Sequence, residues 1–389
     1  MSSAIAVRCG LEFEYLLANT QGPNVGQLRD FADLDFHELS ALLADKPGRN
    51  DPELAVGDMG IRQGYWYLEG DERFHPNGDF DTLAVKGVEI RTPPAQSVTA
   101  AIEQLLHIEQ QLLERLGQHG LGLAIAGLNP RHERYVFTPP LNVFEQQLRA
   151  EDHEYDGMEV STLTFGPDIN LSFAGWDSAR NLAVARKLNY YAPYIVPFSF
   201  SAPFWAGQPW AGDSRRTWVR SSCRPIVKTF VAPEALTEPP ASPLLRPARI
   251  AIEEGRIEFK AFDAMPCLEL LKACCYLLIG LCLDEQLKGQ TDETALALFR
   301  RAAWHGFEDP EVYTGATQVL LAATKALQQY GEPEGVQALV LLQQALERRL
   351  NPAHWMRAEH RQYHLGGLAT TPTFSVLREV SFARKTDNS

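Results

Sequence analysis

Acidic side chains recur two residues apart, or beside a base, in stretches that alternate polar with apolar. The first is Arg8-Cys9-Gly10-Leu11-Glu12-Phe13-Glu14-Tyr15. Side chains two apart on a strand share a face. Arg8, Glu12 and Glu14 then point one way, and Leu11, Phe13 and Tyr15 the other. Val88-Glu89-Ile90-Arg91 sets Glu89 with Arg91, and Ile257-Glu258-Phe259-Lys260 sets Glu258 with Lys260. Asp168-Ile169-Asn170-Leu171-Ser172 gives a polar face of Asp168, Asn170 and Ser172. Paired carboxylates repel unless water covers them or a cation lies between them. If these strands are neighbours, their polar face is an oxygen-rich site for Mg²⁺ and the phosphates it carries. An antiparallel sheet with one solvated face alternates in the same way. The recurrence of the pattern points towards the site.

The rest of the chain must position those strands. Its 389 residues and 45% hydrophobic content suffice for a sizeable core. A formal net charge of −13 argues against general nucleic-acid binding, which needs a basic surface. No apolar run follows Arg8 in the order a signal peptide requires. The most apolar run, Cys274 to Leu283, is about half of what spans a bilayer. The expectation is a cytoplasmic protein with no membrane partner. Four of the six cysteines (Cys267, Cys274, Cys275 and Cys282) fall on one predicted helix, with Cys9 and Cys223 elsewhere. With no CxxC pair they read as buried core thiols.

Residues 35–46 read as a short helix and Tyr65–Leu68 as a strand ending in a turn at Glu69–Asp71. Val98–Leu116 is an amphipathic helix with Ser97 as N-cap, and Leu121–Ala126 is a strand. The basic loop from Gly127 to Arg134 suits a substrate carboxylate or phosphate, or is simply solvated. Ser178–Tyr191 is a helix. Gly212-Asp213-Ser214-Arg215-Arg216 ends in adjacent arginines that suit anion binding. The proline-rich stretch 232–247 is an extended flap or connector, and Ile250–Phe262 reads as a hairpin turning at Glu254-Gly255. From Pro266 the chain is helical: 267–287, 292–305, 311–330, 334–349 and 352–362. The expected organisation is one catalytic domain over 1–389, with an α+β body at 1–265 and a helical part at 266–389 packed on it.

Several of these stretches resemble, in order, the carboxylate–amine ligases of the glutamate–cysteine ligase group, closest to the plant and proteobacterial type. Gly10-Leu11-Glu12-Phe13-Glu14 resembles the family's G-x-E-x-E strand, and Gly87–Pro94 its second acidic strand. Gly127-Leu128-Asn129-Pro130 resembles the glycine–proline loop after the first long helix. Asp168–Phe173 resembles a V-x-V-N-L-D-F strand, and Ser199–Phe204 with Gly207 and Ser214–Arg216 an S-S-P…G…S-x-R segment. Ile257–Asp263 resembles L-E-x-R-x-x-D, and Arg301–Gly306 a helix near the family's C-terminal region. Together they cover about residues 8–310.

The resemblance implies a glutamine-synthetase-like α+β fold: a curved, mainly antiparallel sheet with a polar active-site face and helices on the other. It implies ATP and two or three Mg²⁺ ions. The γ-carboxylate of glutamate would be phosphorylated by ATP and attacked by an amine, cysteine first, as in glutathione biosynthesis. By position Glu12, Glu14, Glu89 and Glu258 would be metal ligands. Asn170, Asp168, Ser214, Arg216 and Lys260 would bind the nucleotide. Arg216, Lys260 and Arg91 would act on phosphate or substrate carboxylate. The chain departs from the pattern in three places. Asp168 and Asn170 stand where many members carry two histidines, which selects the plant-like subgroup. Lys260 replaces an arginine and loses its bidentate fork. The proline-rich segment is compact, which leaves the amine pocket open to difference. Two other readings stand beside the first: a relative with another amine or carboxylate, and a non-catalytic nucleotide or small-molecule binder. A homodimer is left open as the assembly.

Overall fold

The computed structural model describes residues 6–54, 63–152, 155–220, 225–237 and 239–379. In chain order the elements begin with β1 (Val7–Asn19), β2 (Leu28–Arg29), α1 (Phe36–Leu42), β3 (Trp66–Phe74), β4 (Phe80–Arg91), α2 (Val98–Gly117) and β5 (Leu121–Ile125). There follow α3 (Val143–Glu151), α4 (Met158–Ser161), β6 (Pro167–Phe173), α5 (Ser178–Ile195), β7 (Phe204–Trp205), β8 (Gln208–Pro209), α6 (Arg215–Arg220), β9 (Val227–Val231), β10 (Leu245–Pro247) and β11 (Ile257–Phe259). The C-terminal part is α7 (Leu268–Leu283), α8 (Leu296–His305), α9 (Pro310–Tyr330), α10 (Pro333–Glu347), α11 (Pro352–Ala358) and β12 (His364–Leu365).

Apart from the two-stranded β7–β8 ribbon, the strands form one curled sheet whose main path runs β10-β9-β11-β6-β1-β4-β3. All neighbours on this path are antiparallel except β10 and β9. The far end of β1 leaves this run to pair with β2 and β5. The four strands that carry the paired polar residues are therefore consecutive: β11, β6, β1 and β4.

Alternation decides which side of β1 is core. Leu11, Phe13 and Tyr15 are buried, packed beneath the helices. α2 lies against β1 because Val98, Ile102, Leu105, Ile108, Leu112 and Leu116 recur at helical spacing on its buried face. Ser97 caps it as expected, accepting from Ala100 N–H. One polar residue on that helix is wholly buried. Glu109 accepts from the Tyr15 hydroxyl at 2.6 Å and from the N–H groups of Leu368 and Ala369, which ties the C-terminal segment to the sheet. From Ala273 onward every residue of α7 is buried, and the helix packs against α9, α10, α2 and α5. The described cysteines, Cys9, Cys267, Cys274, Cys275 and Cys282, are free and buried; Cys223 lies outside the described residues. No helix among the described residues is long and apolar enough to cross a membrane.

Two local expectations are corrected. Glu69–Asp71 is not a turn: β3 runs on through it to Phe74, paired with β4 across an irregularity at Gly70. A Cβ at Gly70 would lie 1.9 Å from the Ala84 carbonyl oxygen, so only glycine permits this approach. Ile250–Phe262 is not a hairpin either. Residues 251–253 form a helical turn, and β11 pairs with β9 and β6. Gly255, at φ +78°, turns the chain into β11 and donates its N–H to Phe230 O.

Candidate active site

The concave face of the sheet floors a cleft of about 1100 Å³. Registry sets its floor. Glu12 lies opposite Asp168 on one side and Arg91 on the other; Glu14 lies opposite Glu89, and Glu258 opposite Asn170. Each pair sits on neighbouring strands at matching pleat positions, so their side chains emerge together. Arg8, Glu12, Glu14, Glu89, Arg91, Asp168, Asn170, Ser172, Glu258 and Lys260 all line the cleft.

Two sets of carboxylates each bring one oxygen per residue within 4.8 Å of the others: Glu12, Asp168 and Glu258, and Glu14, Glu69 and Glu89. A lysine touches each set. Lys260 contacts Asp168 and lies 3.5 Å from Glu258. Lys86 contacts Glu14 and lies 3.0 Å from Glu69. Asn170 donates to Glu12 at 3.0 Å and accepts from Arg256 at 3.1 Å. Arg256 stacks over Phe230 and approaches Glu12 and Glu258 at 3.8 and 3.6 Å.

The crowding shows in the acidities. Burial, reinforced by Glu69, Glu12 and Glu14, pushes the Glu89 carboxyl well above the usual carboxylate range. Burial also raises Asp168, to about 7; Lys260 pulls against it while Glu258, Glu12 and Glu14 add to it. Glu14 is raised by burial, with Lys86 opposing and Glu69 adding. Glu258 goes the other way. Burial would raise it, but Lys260, Arg256 and Lys228 hold it down to about 2. Burial would lower the Lys260 ammonium, yet Asp168 and Glu258 keep it above its ordinary value. Buried carboxylate oxygens gathered this closely are donors of the kind a hard divalent cation takes, so this oxygen-rich floor fits Mg²⁺.

Not every expected residue sits there as anticipated. Arg216 lines the cleft but is buried and donates to the carbonyls of Ala261 and Lys260, with Asp263 at 3.5 Å. Burial lowers its pKa to about 10, helped by Arg220. Gly166 makes room for it, because a Cβ there would meet Arg216 Nη2 at 2.3 Å. Arg91 reaches the cleft, but its guanidinium donates to Gly64 O and Leu54 O and stacks over Tyr67. Ser214 lies outside the cleft: it is buried, and its hydroxyl accepts from Thr217 N–H at the start of α6. The loop from Gly127 to Arg134 does not line the cleft either. Its Arg131 and His132 turn to the buried Asp30.

Sequence reasoning missed Glu69, Lys86 and Arg256. For Glu69 the signal was present, since Tyr67 and Glu69 continue the alternation of β3. Lys86 carried none. Alternation counted back from Ile90 and Val88 sends Lys86 to the core, and a bulge reverses it. Glu69 pairs with Gly87 and Gly70 with Val85, so Lys86 is the extra residue.

Residues 74–222 match the family model described as glutamate-cysteine ligase family 2 (GCS2). That stretch holds Lys86, Glu89, Asp168 and Asn170; Glu12, Glu14, Glu69 and Glu258 lie outside it. The chain is 27% identical to a glutamate–cysteine ligase of Natronomonas pharaonis over 170 residues, 39% of this chain and 45% of that one. It is 26% identical to the glutamate–cysteine ligase EgtA of Mycobacterium tuberculosis over 163 residues, 39% of this chain and 37% of that one. The matches thus span less than half the length of these curated relatives. In three dimensions the chain is similar to a bifunctional glutathione synthetase from Pasteurella multocida, with TM-score 0.58 at 13% identity, over 98% of this chain and 53% of that one. It is also similar to a glutamate–cysteine ligase from Francisella tularensis in complex with AMP, with TM-score 0.55 at 12% identity, over 97% of this chain and 89% of that one. At these identities the structural likeness defines the fold: α+β, with a strongly curled and mostly antiparallel sheet of the glutamate–cysteine ligase and glutamine-synthetase-like kind.

Proposed function

We propose that this chain is a GCS2-type, ATP- and Mg²⁺-dependent carboxylate–amine ligase. It joins the γ-carboxylate of glutamate to an amine, cysteine first among the acceptors. The observation that carries the reading is the pair of carboxylate triads on one cleft floor, within a fold similar to that of a solved glutamate–cysteine ligase. In the reaction, a γ-carboxylate oxygen of glutamate bonds to the terminal phosphorus of ATP and ADP leaves. The amine then bonds to the acyl carbon, the C–O bond to phosphate breaks, and the amine gives up a proton.

Mg²⁺ bound at the Glu12–Asp168–Glu258 carboxylates would neutralise phosphate charge as it shifts. The chain's own residues hold the oxygens in place. Asn170 fixes Glu12, and Arg256 fixes Asn170. Lys260, between Asp168 and Glu258, is the cation best placed to meet a phosphoryl oxygen. Arg246, Lys228 and Arg256 line one end of the cleft with Phe230, which suits an anionic group on a substrate. Residues 1–265 and 266–389 act as one catalytic unit in this reading.

The test is ADP release from MgATP with L-glutamate, with and without L-cysteine, and mass detection of the product. Cysteine-dependent release with a γ-glutamylcysteine mass is expected. Release only with another amine or carboxylate would move the substrate and keep the reaction class. No release from folded protein across a broad panel would leave a non-catalytic binder.

A further inference from the structure

Lys86 is the least expected residue on the cleft floor. Its carbon stem starts from a strand whose alternation points it at the core. The bulge in β4 turns it instead into the Glu14–Glu69–Glu89 triad, while Val85 and Val88, three apart, both face the core. Its ammonium contacts Glu14, meets Glu69 at 3.0 Å, and donates to the main-chain carbonyls of Thr164 and Ser161 at 3.1 and 3.4 Å. An ammonium has only three N–H donors, so these four acceptors occupy them all. The Lys86 side chain is 6% exposed, against 20% for Lys260 in the other triad. Among the described residues, Lys260 pairs with Asp168 and Glu258 and with no main-chain carbonyl.

We propose that Lys86 is a built-in cation. It fills the Glu14–Glu69–Glu89 triad permanently, in the role a second divalent ion would otherwise take, and leaves Glu12–Asp168–Glu258 as the triad that loads metal. This rests on the ligase reading for its metal. The two triads carry similar oxygens, but only one holds a lysine anchored on its far side by the backbone. An ion entering the Glu14 triad would have to displace a buried ammonium from four acceptors and leave it unpaired, which is costly. An ion entering the Glu12 triad has to move a lysine that reaches solvent, and Arg256, at 3.6 and 3.8 Å from Glu258 and Glu12, keeps its closer partner Glu253 at 3.1 Å.

The experiment uses the full chain and Mn²⁺ as the probe. Free and bound Mn²⁺ are counted by electron paramagnetic resonance without nucleotide, so turnover plays no part. Glu12→Gln should weaken Mn²⁺ binding by roughly tenfold or more, and Glu69→Gln should change it by less than about threefold. Lys86→Met should bind one more Mn²⁺ per chain than the wild type. Equal stoichiometry in folded Lys86→Met, or a loss in Glu69→Gln as large as in Glu12→Gln, would overturn the proposal. If Lys86→Met does not fold, the two glutamate variants decide alone. Wild type that binds no Mn²⁺ at all would count against the metal-dependent ligase reading. The gain or absence of an ion in Lys86→Met would then still decide the role of Lys86.

Discussion

The Glu12–Asp168–Glu258 and Glu14–Glu69–Glu89 triads share a floor, a donor chemistry and a lysine each, and they differ in how the lysine is held. Lys260 enters from just beyond the short strand β11, one-fifth exposed, and among the described residues is bound to the carboxylates it neutralises. Lys86 enters from a bulge, nearly buried, and is clamped by the carbonyls of Ser161, at the end of α4, and Thr164, just beyond it. The first arrangement can rearrange when a ligand arrives. The second is part of the fold. Similar charges on one surface can thus serve binding in one place and structure in another, and burial with backbone anchoring separates the two.

The comparison can be broken most directly at Lys86. Lys86→Met removes one partner of a buried ion pair and should cost about 3–5 kcal/mol of unfolding free energy in metal-free protein. Denaturant titration measures it, and a loss below about 1 kcal/mol, the range of exposed pairs, would place Lys86 with Lys260. Next comes Glu12→Gln, which should lower glutamate-dependent ADP formation by about 100-fold or more while leaving the circular dichroism spectrum intact. Unchanged turnover would remove Glu12 from the metal-loading triad. Saturating Mg²⁺ should stabilise the wild type by about 2–3 kcal/mol at a hundred times its dissociation constant. Thermal melts should show that gain retained in Glu69→Gln and lost in Glu12→Gln. The smallest effect is expected at Lys260→Arg. Activity should be kept or raised, because a guanidinium offers phosphate a bidentate contact. A collapse in melting temperature would mean that Lys260, like Lys86, is held as part of the fold.

Much of the floor was legible before any fold was known. Glu12, Glu14, Glu89, Glu258, Asp168 and Asn170 were found because a strand's side chains alternate whatever its neighbours are. The helical periodicity of the C-terminal part survives in α7 to α11 with small shifts at their ends. Glu69 was lost because Glu-Gly-Asp-Glu has turn composition, although its glycine marks a bulge inside a long strand. Ser214 and the loop from Gly127 to Arg134 looked like anion sites, since small residues beside arginines have that composition in any setting. In the fold, Ser214 caps a helix and Arg131 answers a buried aspartate.

What the sequence determined by itself is the polar face of each regular, unbulged stretch of strand, because the two-residue period is a property of the local backbone. It determined the acids, the helical C-terminal part and the residues that face inward on α2. The tertiary structure alone decided that β11, β6, β1 and β4 are consecutive, so that acids more than 200 positions apart meet. It alone decided that Arg256 braces Asn170, and that a bulge turns Lys86 from core to cleft. Strand order, and the register that creates a bulge, depend on pairing between distant segments, and no local period encodes them.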